Sequence, residues 1–368
     1  MDLNRRDLIR LLACSAAACP FAAARLSSAD EKNLHKALYF EDAKERRIKC
    51  TLCPRECVVA DMERGTCGVR ENRGGTYYTL VHSRPCAMHN DPIEKKPLFH
   101  YRPGVKAFSL ATAGCNIECR FCQNWEISQF RPEQVSSRTV TPEEIVRHAS
   151  RLGSGAIAFT YSEPVIFYEY MLDICLAAEG SGIGRVMISN GYINEKPLVD
   201  LMGHMDAIKV DFKAFSESFY KDVCSAHLRP VLDTLVRIRE AGVWLELVML
   251  VIPTLNEDTK ELEAMSRWIV QKLGPDVPIH FTRFHPMYKI QNLPPTPVKT
   301  LERARKIALN AGIHHAYAGN VPGHPGENTY CHHCNEILIR RSGYRISANR
   351  ISGGKCPECK TPVAGVWE

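Results

Sequence analysis

The sequence lacks an apolar run long enough to cross a membrane. Its main uncharged apolar stretch, residues 11–24, holds about 14 residues, whereas a spanning helix needs roughly 20. We therefore predict no permanent membrane span.

Dense basic runs, internal repeats and low-complexity tracts are also missing. The charge is nearly balanced, with 47 Lys and Arg against 41 Asp and Glu and a formal net charge of +6. Because nucleic-acid-binding domains usually carry a basic patch, the charge argues against a nucleic-acid partner. Hydrophobic residues make up 45% and charged residues 24% of the chain, which excludes collagen-like, coiled-coil and wholly disordered proteins.

The first 30 residues have the pattern of an export signal. Arg5 and Arg6 precede the apolar stretch, which ends in three alanines. This pattern resembles a twin-arginine leader, and a flexible extension is the alternative. The folded part of the chain is expected to begin after residue 30.

Cysteine, in contrast, is abundant, with 16 residues. Most of them lie in short-spaced groups, one of three in the middle of the chain and one of four near each end. Such spacing favours metal binding over disulfides. Because metal-binding thiolates must stay reduced, the cysteines favour a cytosol-like or anaerobic setting.

Short apolar runs alternate with helical patterns between residues 105 and 318, which is typical of buried parallel strands joined by helices. The predicted strands are Ala107–Ala111, Ala156–Thr160, Val186–Ser189, Ala207–Asp211, Trp244–Val251 and Ile279–Phe284. One helix begins with a capping box at Thr141, and the others are predicted at Val165–Ala178, Arg229–Ala241, Glu257–Lys272 and Val298–Ala311.

Repeated βα units imply a parallel sheet, either open or curled into a barrel. We predict an α/β fold, a partial (β/α)6-type parallel barrel with a small cysteine-rich metal module at each end. The expected domains are the leader at 1–30, an N-terminal module and lead-in at 31–104, the core at 105–320 and a C-terminal module at 321–368.

The central cysteines follow the first predicted strand in one short loop. They are Cys115, Cys119 and Cys122, with Phe121 beside the third. Iron–sulfur clusters commonly use four thiolates, so three leave one metal corner open to an exogenous ligand. The alternative is a closed four-ligand zinc or cluster site completed by Cys86 or another distant cysteine.

The Cys-x3-Cys-x-aromatic-Cys pattern resembles the motif of the radical S-adenosylmethionine (SAM) superfamily. Residues 91–100 and 122–125 resemble its pyruvate formate-lyase-activase-like branch, most closely the AmmeMemoRadiSam-type members. The resemblance extends over roughly residues 50–368. It implies that the three thiolates hold a [4Fe-4S] cluster and that SAM binds the fourth iron.

Polar residues follow the predicted strands at the edge where parallel α/β folds bind ligands. The candidates for cofactor binding are Ser162, Glu163, Asn190, Asp211, Lys213 and His285. Each of them alone has an ordinary structural alternative, such as a turn, a cap or a packed side chain. Their shared position at one rim favours a functional site.

The resemblance also implies roles for these residues. Glu163 stands in the segment that binds the methionyl ammonium, for which a carboxylate is a suitable partner. The resemblance places Asn190 near the ribose. It places Asp211, Lys213 and His285 near the methionyl carboxylate and the ribose. Tyr161 and Ser162 replace two family glycines, which puts the backbone contacts of that segment in doubt.

The two outer cysteine groups each offer four ligands. The N-terminal group, Cys50, Cys53, Cys57 and Cys67, fits zinc or an auxiliary iron–sulfur cluster, with zinc slightly favoured and disulfides as a third alternative. The C-terminal group, Cys331, Cys334, Cys356 and Cys359, resembles a zinc ribbon. Between its pairs, Arg340, Arg341 and Tyr344 fit nucleic-acid contact or a solvated hairpin.

The resemblance implies a radical SAM oxidoreductase. Its [4Fe-4S] cluster would reductively cleave SAM to a 5′-deoxyadenosyl radical, which abstracts hydrogen from a protein, as activases do, or from a small molecule. No catalytic residue is assigned. A zinc-knuckle scaffold with an inert barrel is the alternative of another class. The expected partner is a low-potential electron donor, and cytoplasmic function is favoured by the chemistry even though the leader indicates export.

Overall fold

The computed structural model describes residues 34–368, so the predicted leader lies outside the described residues. Six short strands precede the main sheet: β1 His35–Lys36, β2 Phe40–Asp42, β3 Ile48–Cys50, β4 Val58–Val59, β5 Arg70–Arg73 and β6 Thr76–Thr79. They form two antiparallel sheets, with the orders β1-β6-β5 and β2-β3-β4. These small sheets support the N-terminal cysteines.

The main sheet has eight strands in chain order. They are β7 Ala87–Pro92, β8 Lys106–Ala111, β9 Ala156–Phe159, β10 Gly184–Ser189, β11 Ala207–Asp211, β12 Trp244–Val251, β13 Ile279–Arg283 and β14 Ala316–Gly319. β8 to β14 are parallel, and β7 pairs antiparallel with β8 at one edge.

This sheet confirms the predicted α/β fold class. Because crossovers between sequential parallel strands share one hand, they place their helices on one face, and the sheet curls into the wall of a barrel. The strand order begins at β14 and ends at β7, so the barrel is partial. All six predicted strands are found, and their ends meet at one rim.

The sheet also contains two strands that the prediction omits, β7 and β14. β7 is rich in polar residues and only half-buried, so it lacks the continuous apolar run of a parallel strand. β14 is short and composed of small residues around one tyrosine. Both lie at edges, where burial on two faces is not required.

Helices connect the parallel strands. They are α1 Trp125–Ser128, α2 Pro142–Arg151, α3 Tyr168–Ala177, α4 Glu195–Met202, α5 Glu217–Cys224, α6 Leu228–Glu240, α7 Thr259–Lys272 and α8 Val298–Asn310. The capping box at Thr141 is confirmed, since its hydroxyl accepts from Glu144 N and its N–H donates to the Glu144 carboxylate. Within residues 34–368, no helix is long and apolar enough to cross a membrane.

A small C-terminal sheet completes the fold. Its strands are β15 Thr329–Tyr330, β16 Ile337–Ser342 and β17 Arg345–Asn349, paired antiparallel. The buried Arg341 donates to the Phe99 carbonyl at 2.8 Å, and Val366 bridges to Tyr101. These contacts hold the C-terminal residues against the segment that enters the main sheet.

Candidate active site

The three central cysteines lie on the loop after β8. Gly114 opens this loop at φ +99°, and a Cβ there would come within 2.8 Å of the Cys67 carbonyl, so the position requires glycine. The loop folds back, because Cys122 N donates to the Cys119 carbonyl at 3.2 Å. Together with Cys115, these two cysteines line a cavity of about 440 Å³ at the carboxyl ends of the parallel strands.

Neighbouring groups favour a thiolate at Cys119. A hydrogen bond from the Cys224 thiol lowers the pKa of Cys119 against the effect of burial, and Lys213 lowers it further. At Cys115, burial and the charge of Glu163 raise the pKa well above its usual value. Because the thiolate is the metal-ligating form, Cys119 is prepared for ligation. Cys224 was not predicted here, since nothing in the sequence relates this isolated cysteine to the loop.

Glu163 presents a buried carboxylate just after β9. It accepts hydrogen bonds from Ser189 Oγ at 2.6 Å, Asn190 N at 2.8 Å and Val165 N at 3.2 Å. Burial raises the pKa of Glu163 to about 7, although these hydrogen bonds lower it. Its three partners in the described chain are neutral, so the charge is available to a cationic ligand.

Asn190 links this carboxylate to the cysteine loop. Its Nδ2 donates to Asn116 Oδ1 at 2.9 Å and lies 3.8 Å from Cys115 Sγ. Ser162 also lines the cavity, but its hydroxyl donates to the Thr112 carbonyl at 2.7 Å. Asn190 therefore reaches the cysteine loop with its side chain, whereas the Ser162 hydroxyl is engaged by the backbone.

Asp211 ends β11 inside a cluster of two lysines. Its carboxylate pairs with the ammonium of Lys209 and lies 3.6 Å from Lys213 Nζ. Burial would raise the pKa of Asp211, but the two lysines outweigh it and hold that pKa below its usual value. Although burial opposes it, Cys119 and Asp211 hold the pKa of Lys213 well above its usual value. The cavity thus has a positive charge beside Cys119.

His285 does not join the other candidates. It follows β13, as expected, but its side chain is exposed and does not line the cavity that the other described candidates share. The chain turns away after Phe284, which donates its N–H to Thr296 Oγ1. The structure therefore does not bring His285 to the predicted site.

Tyr161 and Lys96 line the same cavity and share Asp91 as a partner. The Tyr161 hydroxyl donates to Asp91 at 2.6 Å, and Lys96 Nζ donates to it at 2.7 Å. Burial lowers the pKa of Lys96 to about 8. Tyr161 has φ +64°, a conformation that favours glycine, which fits the glycine expected there from the resemblance. The sequence analysis did not propose Lys96 or Asp91 as site residues. The signal that could have identified them is the resemblance of residues 91–100 to the activase-like branch.

The C-terminal hairpin also reaches the cavity. Tyr344, in the turn between β16 and β17, lines it together with Asn320. The sequence suggested nucleic-acid contact or a solvated hairpin for this tyrosine. Its position at the cavity relates the C-terminal residues to the candidate active site.

The C-terminal cysteines come together as a single-ion site. All four sulfurs, of Cys331, Cys334, Cys356 and Cys359, lie within 4.8 Å of one another. Two of the distances are 3.5 Å, between Cys331 and Cys359, and 3.7 Å, between Cys334 and Cys356. Tetrahedral zinc with Zn–S bonds of about 2.3 Å separates its sulfurs by about 3.8 Å, so this geometry fits zinc.

The N-terminal cysteines are more widely spaced. Among the described residues, no three of the thiols of Cys50, Cys53, Cys57 and Cys67 lie within 4.8 Å of one another. We call these four residues the N-terminal thiol group. Its spacing differs from that of a site closed around one ion.

A further close group consists of His35, His82 and Asp173. His82 Nε2 lies 2.8 Å from Asp173 Oδ2, and its Nδ1 lies 3.1 Å from Ser83 Oγ. The two imidazole rings stack with centroids 3.8 Å apart. Both nitrogens of His82 are already engaged, so this group is a hydrogen-bonded cluster of the fold.

Sequence comparison relates the chain to known proteins. A model of the Radical SAM superfamily matches residues 109–266, which contain the central cysteine loop and Glu163, Asn190, Asp211 and Lys213. An uncharacterized protein of Methanocaldococcus jannaschii is 44% identical over 308 residues, covering 84% of this chain and 92% of the relative.

Two other similarities are more distant. The pyruvate formate-lyase-activating enzyme of Clostridium pasteurianum is 21% identical over 176 residues, covering 45% of this chain and 70% of the relative. A solved radical SAM methyltransferase from Sphaerobacter thermophilus is 17% identical, with a TM-score of 0.47 over 62% of this chain and 71% of that chain.

Proposed function

Because the chain belongs to the pyruvate formate-lyase-activase-like branch of the radical SAM superfamily, we propose that it cleaves SAM reductively to start hydrogen abstraction from a substrate. One observation carries this proposal. The three central cysteines line the same cavity as Glu163 and Asn190.

The donor set of the cavity fits a [4Fe-4S] cluster with SAM. Cys115, Cys119 and Cys122 supply three thiol ligands on one loop, and a buried carboxylate follows the next strand. Three ligands would leave one corner of the cluster open to the amino and carboxylate groups of SAM. The bound cluster and SAM supply the reductive cleavage that yields a 5′-deoxyadenosyl radical.

The residues of the chain bind and orient the cofactor. Glu163 is placed to accept a hydrogen bond from the methionyl amino group, and its hydrogen bonds from Ser189 and Asn190 hold the carboxylate in position. Lys213 contributes a positive charge beside Cys119, which favours thiolate ligation.

We assign the substrate to the class of proteins. Two relatives support this assignment by their names, the pyruvate formate-lyase-activating enzyme and the (2S)-3-sulfopropanediol dehydratase activating enzyme of Klebsiella oxytoca, the latter 22% identical over 120 residues. A small-molecule substrate is the other outcome. Incubation with deuterated candidate proteins or metabolites separates them, because deuterium from the true substrate appears in 5′-deoxyadenosine.

We also propose that Cys331, Cys334, Cys356 and Cys359 bind one structural zinc ion. Four closely spaced sulfurs make a closed site, which is typical of structural rather than catalytic zinc. The metal would fold a segment that has only a small apolar core, Cys331, Leu338, Ile339, Cys356 and Val363.

Anaerobic reconstitution tests the proposed reaction. The full chain, loaded with iron and sulfide, is incubated with SAM and dithionite, and 5′-deoxyadenosine and methionine are quantified. We expect equal amounts of the two products, and we expect neither from the Cys122→Ala variant. A loaded wild-type chain that leaves SAM intact would contradict the proposal.

A further inference from the structure

The N-terminal thiol group surrounds a common space. Cys50 N donates to the Cys57 carbonyl at 2.9 Å, and Thr66 N, beside Cys67, donates to Cys57 Sγ at 3.5 Å. Glu56 N, beside Cys57, donates to the Cys53 carbonyl at 3.1 Å. The four side chains are therefore neighbours, although they are too widely spaced for one ion.

Two buried donors have no hydrogen-bond partner among the described residues, Tyr77 Oη and Arg70 Nε, and the Arg70 guanidinium lies 5.5 Å from the centre of the Tyr77 ring. The terminal nitrogens of Arg70 donate hydrogen bonds to Glu169 and to a backbone carbonyl, so only Nε has no acceptor. A Cβ at Gly65 would lie 2.8 Å from Tyr77 Oη and 3.6 Å from Cys57 Sγ, so the hydroxyl borders the thiol group. Buried donors without acceptors destabilise a fold, so an acceptor is expected in this space.

The spacing of the thiols discriminates between metals. Around one zinc ion the sulfurs lie about 3.8 Å apart. The C-terminal cysteines fit this spacing, because their four sulfurs lie within 4.8 Å of one another. An iron–sulfur cluster distributes its four thiolates over several iron atoms, which separates them further, and its sulfides accept hydrogen bonds. The N-terminal thiol group lacks the close spacing of a single-ion site and has two buried donors nearby without acceptors, and a cluster accounts for both observations.

We propose that Cys50, Cys53, Cys57 and Cys67 hold an auxiliary iron–sulfur cluster. Its sulfides accept hydrogen bonds from Tyr77 Oη and Arg70 Nε. The ion pair of Arg70 with Glu169, at 2.8 Å and with both side chains almost fully buried, fixes the guanidinium in place. The cluster therefore has a closed ligand set and a preorganised pair of donors.

The position of this site suits electron transfer to the central loop. The Cys67 carbonyl contacts Gly114 so closely that a Cβ there would be 2.8 Å away, and Cys115 follows directly. Cys67 and Cys115 also line one shared cavity. The auxiliary cluster would accept one electron from a low-potential one-electron donor and pass it to the central cluster, returning to its oxidised state with no bond or proton transferred. Only the transfer of this electron to the central cluster rests on the proposed function.

Metal analysis of a variant without the central ligands tests the proposal. The full chain carrying Cys115→Ala, Cys119→Ala and Cys122→Ala is reconstituted anaerobically and examined by iron analysis and Mössbauer spectroscopy. We expect about 2–4 iron atoms per chain, which are lost when Cys53→Ser and Cys67→Ser are added. Wild type should hold more iron than the triple variant. Zinc, or no iron, at the remaining thiols would overturn the proposal, and the assay needs no SAM turnover.

The hydrogen bonds have their own test. In the triple variant, Tyr77→Phe removes one donor to the cluster, which should lower its midpoint potential, because hydrogen bonds to sulfides stabilise the reduced state. Tyr78→Phe, on the next residue of β6, is the matched control and should leave the potential unchanged. Circular dichroism establishes that both variants fold. Equal potentials in the two variants would overturn the assignment of Tyr77 as a donor.

Discussion

The carboxylate of Glu163 accepts a 2.8 Å hydrogen bond from the backbone N–H of Asn190. This bond joins the segments that follow two neighbouring parallel strands, β9 and β10. It holds a buried negative charge in the cavity that the central cysteines line. The first two predictions concern this carboxylate.

Replacing the carboxylate should weaken SAM binding. Glu163→Gln keeps the shape of the side chain but removes the charged acceptor for the methionyl amino group, a hydrogen bond worth about 1.5–3 kcal/mol. We expect Kd for SAM to rise about 10- to 150-fold, measured by calorimetry on the reconstituted chain. An unchanged Kd would mean that Glu163 has only a structural role, joining the segments that follow β9 and β10.

SAM binding should also depend on pH. Burial raises the pKa of Glu163 to about 7, so the free protein is largely protonated there below neutrality. Because the ionised carboxylate is the form that accepts from the methionyl amino group, affinity should increase about tenfold per pH unit up to about pH 7 and then level off. The measurement is Kd from about pH 5.5 to about pH 7.5, and Glu163→Gln should flatten the profile.

Loss of one central ligand should separate the cysteine groups in function. Cys122→Ala removes a cluster ligand, so iron at the central site and 5′-deoxyadenosine formation should both be lost, while zinc content stays the same. Cys86→Ser is the control, and it also tests a closed four-ligand site. Retained turnover in Cys122→Ala, or lost iron in Cys86→Ser, would contradict the open three-ligand cluster.

Removing a C-terminal ligand should release metal before it alters the chemistry. Cys356→Ser breaks a closed four-sulfur site, so about one zinc per chain should be lost and the residues around β16 should unfold first. Zinc analysis and hydrogen exchange measure both effects. Loss of the central cluster's spectrum with zinc retained would show instead that these thiols hold iron.

The buried ion pair near the N-terminal thiol group should contribute more to stability than a surface pair. Glu169→Ala leaves Arg70 as an unpaired buried charge, which should cost about 3–5 kcal/mol. Asp233→Ala breaks a pair with the exposed Arg229 and should cost far less, because solvent screens such a pair. Chemical denaturation of both variants measures the difference. Equal costs would contradict the role of burial.

Local sequence signals predicted much of the fold. The apolar runs of the six predicted strands were sufficient because parallel strands are buried on both faces. The helix after Val140 was predictable because its cap and first turn are encoded within four residues. β7 was missed because this edge strand has no continuous apolar run, whereas β14 is buried but spans only four residues.

The placement of candidate residues was predictable where they follow a strand directly. Glu163, Asn190 and Asp211 come at or just after strand ends, so the parallel sheet brings them to one rim. His285 follows the same rule but lies outside the cavity, because the loop after β13 turns away. The position of a residue after a strand determines that it lies at the rim. The path of the following loop determines whether its side chain faces the cavity.

The sequence by itself determined the α/β class, the three-cysteine motif and the residues that could meet at the rim, because these depend on local spacing and on a periodic pattern. Only the tertiary structure decided which groups meet over long distances. Cys224 beside Cys119, Tyr344 at the cavity, and Arg70 with Tyr77 beside the N-terminal thiols have no shared local signal. The physical reason is that tertiary packing brings such partners together by their shape and charge, independently of their separation in sequence.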